Sequence, residues 1–197
     1  MGTNPASADL VTIDLTDAAG STGGLIDADN DLITSAPTFT VLESTVVPLN
    51  LTLSGTATDP DAVFNSSSTQ FGINSAGSED QPARIDSEFG EVITFTFDQD
   101  LELHEVQFGN LSGTEQVIAN IGALSFTIND ENTGGADIFD FGDIAVPAGT
   151  GITFTAADNN NGVAFELFTV HVEAVPEPSS LAMLGFGSLL MLARRRR

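Results

Sequence analysis

The chain of 197 residues contains 28 acidic and 5 basic residues, no cysteine, and no tyrosine or tryptophan beside its 14 phenylalanines. Since four of the basic residues are the last four of the chain, the part before them has one basic residue, Arg84, against 28 acidic residues, a formal net charge of −27. Such a charge excludes nucleic acid as a natural partner and disfavours anionic polysaccharides and membranes. The absence of cysteine excludes disulfides, a thiol nucleophile and thiolate metal sites.

The first eight residues have neither the basic nor the apolar region of a signal peptide. The small residues Ala6, Ser7 and Ala8 are typical of the end of a cleavage site. We therefore interpret residues 1–8 as a truncated signal-peptide remnant or a disordered start. Residues 9–174 then form one β domain, and residues 175–197 form a separate C-terminal signal.

The first motif with chemistry is acidic. Asp27, Asp29 and Asp31 place three carboxylates at alternate positions, which is how an oxygen-ligated calcium loop begins. An EF-hand would continue with glycine and glutamate where Leu32 and Thr38 stand, so this is not an EF-hand. Calcium is the one cofactor that the residues suggest. The alternative is that these side chains form solvated turns, as aspartate and asparagine commonly do. Similar clusters lie at residues 59–61, 129–131 and 158–161.

Strand periodicity runs through most of the domain, and no stretch before the tail has helical periodicity. Alternating apolar residues predict strands at residues 10–15, 39–41, 46–53, 71–73, 93–97, 101–108, 124–128, 138–146, 152–156 and 163–172. Pro48 marks an edge strand or a bulge. Residues 54–90 are rich in glycine, serine and aspartate, and we expect mainly loop there.

The clearest expected hairpin joins residues 93–97 to residues 101–108 through a turn at 98–100. In its first strand Phe95 is flanked by Ile93 and Phe97 on the same face, which predicts a core position. The apolar face shifts by one residue in the second strand, so we expect a β-bulge near His104. A similar change of phase occurs in the last strand at Leu167.

Eight to ten short strands separated by turns predict an all-β protein. The expected architecture is an antiparallel β-sandwich, jelly-roll-like, followed by a single C-terminal transmembrane helix.

Catalytic motifs are missing from the sequence, which has no Gly-x-Ser-x-Gly, His-Glu-x-x-His or phosphate-binding glycine loop. His104 and His171 both alternate with apolar neighbours in strands, and we interpret them as surface or half-buried imidazoles. Because the chain has 28 acidic residues, some pair of carboxylates will always look suited to glycoside hydrolysis, so such a pair is no evidence for an enzyme. We therefore expect no catalytic residues.

The last 23 residues combine three unlike pieces. Residues 175–180 contain two prolines, which neither a helix nor a central strand accommodates. Residues 181–193 carry no charge and span about 20 Å as a helix, against about 30 Å for a hydrocarbon core. A helix that begins near Pro178, with arginine side chains that extend to the far interface, is long enough to cross the whole hydrocarbon core. Four adjacent arginines exclude a buried core helix.

This order resembles the PEP-CTERM sorting signal of Gram-negative bacteria. The matching residues are Val175, Pro176, Glu177 and Pro178, the apolar residues 181–193, and Arg194, Arg195, Arg196 and Arg197. The resemblance implies that an exosortase-like membrane protease or transpeptidase recognises the tail and cleaves it near Pro-Glu-Pro. The alternative is a tail anchor that is never processed. In both cases the arginines stay cytoplasmic, so the domain faces the periplasm from the inner membrane.

We expect an exported, non-enzymatic surface or biofilm-matrix protein. The alternative is a polysaccharide-binding module or a polysaccharide-active enzyme with the same signal, which makes exopolysaccharide a candidate partner. The lack of tryptophan and tyrosine, on which sugar rings usually stack, disfavours this alternative.

Overall fold

The computed structural model describes residues 9–16, 31–42, 48–75, 83–133, 137–157 and 162–172. These residues form twelve strands and one short helix. The elements are β1 (Asp9–Asp14), β2 (Thr38–Leu42), β3 (Leu49–Thr56), β4 (Val63–Ser66), β5 (Phe71–Asn74), β6 (Val92–Phe97), β7 (Leu101–Asn110), β8 (Gln116–Ile121), β9 (Leu124–Asn129), α1 (Asp130–Thr133), β10 (Ile138–Val146), β11 (Gly151–Ala157) and β12 (Ala164–Val172).

The strands form two antiparallel sheets of six. The first sheet has the order β10-β7-β12-β5-β4, with β1 also paired to β12, and the second has the order β2-β3-β6-β11-β8-β9. Among the twelve described strands, consecutive strands share a sheet only at β2–β3, β4–β5 and β8–β9. The chain therefore passes repeatedly between the sheets, and the expectation of an all-β antiparallel fold is confirmed.

One hydrophobic core lies between the inner faces of the two sheets. Phe95 of β6 is fully buried, as its alternation predicts. Its ring contacts Phe154 of the neighbouring strand β11 at 5.7 Å between centroids, and it meets Phe165 and Phe168 of β12 at 5.7 Å and 4.9 Å. Because β6 and β12 belong to different sheets, these aromatic contacts join the two layers.

The expected hairpin of residues 93–97 with 101–108 is wrong. The two strands form, but β6 lies in the second sheet and β7 in the first. The link between them is held by side chains that bond to other segments. Asn50 donates from N and from Nδ2 to the Asp98 carboxylate at 2.9 Å and 2.6 Å, and the N–H of Ala148 donates to Asp100 at 2.8 Å. Alternation identifies the buried face of a strand but not its pairing partner, which explains the error.

Three other expectations need correction. β4 lies within the stretch expected to be mainly loop, and four residues are too short to give a clear period. β8 was not expected, although Val117, Ala119 and Ile121 are buried. Pro48 lies immediately before β3, which is an inner strand between β2 and β6, so it does not mark an edge strand; the pairing of β2 with β3 is irregular beside it, between Thr40 and Leu42.

Both expected changes of phase are confirmed as irregularities between β7 and β12. Thr169 pairs with Glu105 and Val170 with Leu103, which leaves His104 as the extra residue of β7. Phe165 pairs with Phe108 and Leu167 with Gln107, which leaves Glu166 as the extra residue of β12. Each bulge moves the next apolar side chains back onto the core face.

A buried carboxylate attaches residues 83–91 to the first sheet. Glu91 is fully buried, and it accepts hydrogen bonds from Ser75 Oγ at 2.5 Å and from the N–H of Asp86 at 3.0 Å. In the same region Gly72 lies against the backbone of Arg84 so closely that a Cβ atom would overlap its main-chain atoms. The loop and the strand therefore fit together only without a side chain at residue 72.

Candidate functional site

The only two histidines of the chain, 67 positions apart, meet on the outer face of the first sheet. His104 lies on β7, His171 on the adjacent strand β12, and their ring centroids are 4.9 Å apart. Asp143 on β10, the strand on the other side of β7, completes the cluster. Its Oδ1 atom lies 2.8 Å from His104 Nδ1 and 3.4 Å from His171 Nε2.

A bulge in β10 brings the carboxylate to the histidines. Asp140 pairs with Glu105 and Ile144 with Leu103, so three residues of β10 lie opposite the single residue His104. Within the bulge Gly142 and Asp143 have φ angles of 71° and 59°, and Asp140 Oδ1 accepts the N–H of Gly142 at 2.7 Å. Glycine adopts this left-handed conformation without cost, and aspartate is among the residues that tolerate it best.

The bulge in β10 also directs two nearby side chains to opposite faces of the sheet. Phe141 is buried and packs edge-on against Phe126 and Phe139, at centroid distances of 5.3 Å and 4.9 Å. Two residues later Asp143 is exposed and points to the histidines. The bulge therefore places the Phe141 ring in the core and the Asp143 carboxylate on the outer face of the sheet.

The bulge in β7 completes the arrangement. His104 is the extra residue between Leu103 and Glu105, so it stands out of the regular β7–β12 register. His171 pairs with Glu102, which lies two residues before His104. The two imidazoles therefore meet diagonally across the strand pair, and their rings are inclined at 72°.

The three side chains form a donor set with recognisable chemistry. Each side chain offers one ligand atom. The three atoms are one imidazole nitrogen from each histidine and one carboxylate oxygen, and all three lie within 4.8 Å of one another. The side chains are 31%, 26% and 49% exposed for His104, His171 and Asp143, so solvent reaches the cluster. Imidazole and carboxylate together are ligands of zinc and related transition-metal ions.

The sequence predicts half-buried histidines, and both are half-buried. What the sequence did not indicate is that they meet each other and Asp143. The sequence does contain one indication of the bulge in β10. The apolar residues Phe139 and Phe141 are followed by Ile144 and Val146, a change of phase that falls at a glycine.

The calcium prediction falls largely outside the described residues, because Asp27 and Asp29 are not among them. Asp31 is half-buried, and its main-chain carbonyl accepts the N–H of Phe64 at 2.8 Å. Calcium at Asp27, Asp29 and Asp31 stays a prediction.

Two of the other acidic clusters close turns. Asp59 Oδ1 accepts the N–H of Asp61 at 2.9 Å. Asn129 and Asn132 accept each other's main-chain N–H groups, at 3.1 Å and 2.9 Å. These are the local bonds by which aspartate and asparagine stabilise turns. Residues 158–161 lie outside the described part of the chain.

The C-terminal signal also lies outside the described residues, including Val175, Pro176, Glu177, Pro178, the expected helix at 181–193 and Arg194 to Arg197. Within the segments that are described, no helix has the length and apolar character needed to cross a membrane.

Comparison with protein families gives a direct result for this region. The family model of the PEP-CTERM protein-sorting motif matches residues 174–197. The chain carries a PEP-CTERM sorting signal. This confirms the resemblance seen in the sequence, and it supports membrane-associated sorting of an exported protein toward the cell surface or the extracellular space. Comparisons with curated proteins and with solved structures gave no match.

Proposed function

We propose that the chain is a non-enzymatic, jelly-roll-like β-sandwich of the cell surface or extracellular matrix, which its PEP-CTERM signal delivers and an exosortase cleaves near Pro176–Pro178. The observation that carries the proposal is the match at residues 174–197, which begins two residues after β12 ends at Val172. The frequent passage of the chain between the two sheets supports the jelly-roll-like arrangement.

The link between domain and signal supports a defined position before cleavage. The chain advances by nine positions from Val172 to Leu181, where the apolar segment begins. Even fully extended, at about 3.3–3.6 Å per residue, they span roughly 30 Å. With the arginines retained in the cytoplasm, the domain is held at the periplasmic surface of the inner membrane. The cleavage motif then lies in the short link between the two.

The structural role rests on how the domain uses its apolar residues. Eight phenylalanine side chains are among the largest fully buried groups, and the rings of β6, β11 and β12 contact one another directly. The acidic residues give the exterior a high negative charge, which keeps such domains apart in solution. A stable core with an acidic exterior suits an exported domain that has no disulfide.

The alternative, a polysaccharide-binding or polysaccharide-active domain, has one observation in its favour. Phe126 and Phe139 are only half-buried where β9 and β10 approach each other, and their rings lie 6.2 Å apart. Leu124 at the start of β9 is 49% exposed. These side chains offer an apolar surface on which a sugar face can pack.

A glycan array probed with the purified chain, with and without calcium, tests the two roles. The proposed role predicts that Phe126→Ala and Phe139→Ala do not change the binding pattern, and that no reducing ends are released from any polysaccharide. Binding to one glycan class that both substitutions abolish would instead establish the sugar-binding role. Release of reducing ends would establish an enzyme.

A further inference from the structure

The His104–Asp143–His171 cluster stands apart from the sorting signal and from the hydrophobic core. It lies on the outer face of the first sheet, on three adjacent strands whose inner faces are packed in the core. All three side chains are partly exposed and lie outside the hydrophobic core, yet both histidines of the chain are there. Packing alone therefore does not explain the arrangement.

A simple hydrogen-bonded pair explains only part of the geometry. The 2.8 Å distance between His104 Nδ1 and Asp143 Oδ1 is a hydrogen bond. However, the same oxygen lies 3.4 Å from His171 Nε2, so one carboxylate atom faces nitrogens of two rings. Two separate bulges, at His104 in β7 and at Asp143 in β10, are needed to produce this convergence.

The distances between the ligand atoms fit a metal ion of a particular size. For a tetrahedral ion with metal–ligand distances of about 2.0–2.1 Å, two ligand atoms lie about 3.3 Å apart. The observed carboxylate-to-imidazole distances are 2.8 Å and 3.4 Å, and all three atoms lie within 4.8 Å. Small rotations of exposed side chains bring the three atoms to the required separation.

The donor types select the class of ion. Calcium and magnesium prefer sites made of oxygen atoms, whereas imidazole nitrogen favours zinc, copper and nickel. We propose that His104, His171 and Asp143 bind one divalent transition-metal ion of the zinc class on the outer face of the first sheet. Partial exposure of all three side chains gives the ion a path from solvent and leaves room for water as a further ligand.

The charge of the domain supports capture of a cation at this position. With one basic residue among 28 acidic ones before the terminal arginines, the domain attracts divalent ions from solution. The same charge also causes weak, unspecific binding, so the experiment must separate the two. Calcium in excess occupies unspecific carboxylates but does not compete well for imidazole nitrogen.

The test is calorimetric titration of Zn²⁺ into the full chain, purified without a polyhistidine tag in a mild detergent, with millimolar Ca²⁺ in the buffer. We expect one ion per chain, and an affinity at least about tenfold weaker in each of His104→Gln, His171→Gln and Asp143→Asn. Glu102→Gln is the matched control, because it removes a carboxylate opposite His171 that is outside the cluster. Equal Zn²⁺ affinity in the wild type and the three variants would overturn the proposal.

A second measurement needs no variant and decides the matter if a substitution unfolds the domain. Since the chain has two histidines, its imidazole carbon–proton NMR spectrum contains two sets of signals. The proposal predicts that one equivalent of Zn²⁺ shifts both sets together. A shift of only one set, or of neither, would contradict binding by this cluster. The result is independent of whether the tail is sorted or cleaved.

Discussion

Oδ1 of Asp143 lies 2.8 Å from Nδ1 of His104, a residue 39 positions earlier in the chain. The contact exists because three residues of β10 lie opposite one residue of β7, which turns the aspartate outward while Phe141 stays in the core. A regular strand pair would place successive side chains on opposite faces without this local reversal. The irregular positions of the sheet, rather than its regular ladder, therefore build the candidate site.

From the packing of the core we predict that Phe95→Ala strongly destabilises the domain. The ring is fully buried and contacts three other phenylalanines, so its removal leaves a cavity and lowers the free energy of unfolding by about 3–5 kcal/mol. Chemical denaturation measures this change. The control is Leu124→Ala, which removes a 49% exposed side chain and should change stability by less than about 0.5 kcal/mol. A loss below about 1 kcal/mol for Phe95→Ala would contradict the assigned inner face.

Gly72→Ala tests the close approach of β5 to the segment at Arg84. A Cβ atom there would overlap main-chain atoms that cannot rotate away, and we expect a loss of about 1–3 kcal/mol or more. Gly113→Ala is the control for backbone strain alone, because residue 113 has a φ of 65° and nothing within 4 Å of an added Cβ. If Gly72→Ala does not lower the free energy of unfolding, the approach of the two backbones is not as described.

Glu91→Ala tests the buried carboxylate. It removes the acceptor of Ser75 Oγ and of the Asp86 N–H, and loss of a buried hydrogen bond of this kind costs about 1–3 kcal/mol. The exposed Glu88, three residues earlier, provides the control, since Glu88→Ala removes the same charge without a buried partner. Thermal and chemical unfolding should show a clear loss for Glu91→Ala alone. Equal stability of the two variants would show that the buried bonds contribute nothing measurable.

The calcium prediction is tested by thermal unfolding of the full chain. If Asp27, Asp29 and Asp31 bind the ion, millimolar Ca²⁺ raises the melting temperature, because it binds the folded state preferentially. Screening of the negative charge also stabilises the domain, so sodium at matched ionic strength is the control. Asp27→Asn with Asp29→Asn should abolish the difference between the two salts. Equal shifts with both salts in the wild type would exclude a specific calcium site.

Much of the fold could be predicted because the alternation of apolar residues within each strand indicates which face is buried. Ile93, Phe95 and Phe97 are buried as their alternation predicts, and the bulge at His104 follows from a shift of that alternation. Pairing was not predictable in the same way. A turn of three residues at 98–100 suits a hairpin and a passage between sheets equally, and in the structure Asp98 bonds to Asn50 of β3 while β7 begins in the other sheet.

The candidate site was harder to predict than the fold. Both histidines were assigned correctly to half-buried strand positions, but their meeting depends on which strands are neighbours. That order is set by long-range packing, and one sequence does not report it. The sorting signal is the opposite case. Its three parts are contiguous from Val175 to Arg197, so its recognition needs no tertiary structure, and the family model matches the same region.

Processing of the tail separates an exosortase substrate from a permanent anchor. An anchor needs only the apolar segment and the arginines, whereas a processed signal also needs the motif just outside the membrane. We therefore expect that Glu177→Ala with Pro178→Ala leaves membrane insertion intact and prevents loss of the tail. Replacement of Arg194 to Arg197 by serine should instead disturb the topology.

The most direct measurement is the intact mass of the exported protein isolated from its native host, with the wild type beside the Glu177→Ala, Pro178→Ala double variant. If the tail is processed, the surface or extracellular wild-type protein ends near Pro176–Pro178, and the double variant retains Arg197 and stays in the membrane fraction. A surface-exposed wild-type protein that still ends at Arg197 would contradict processing and leave a simple tail anchor.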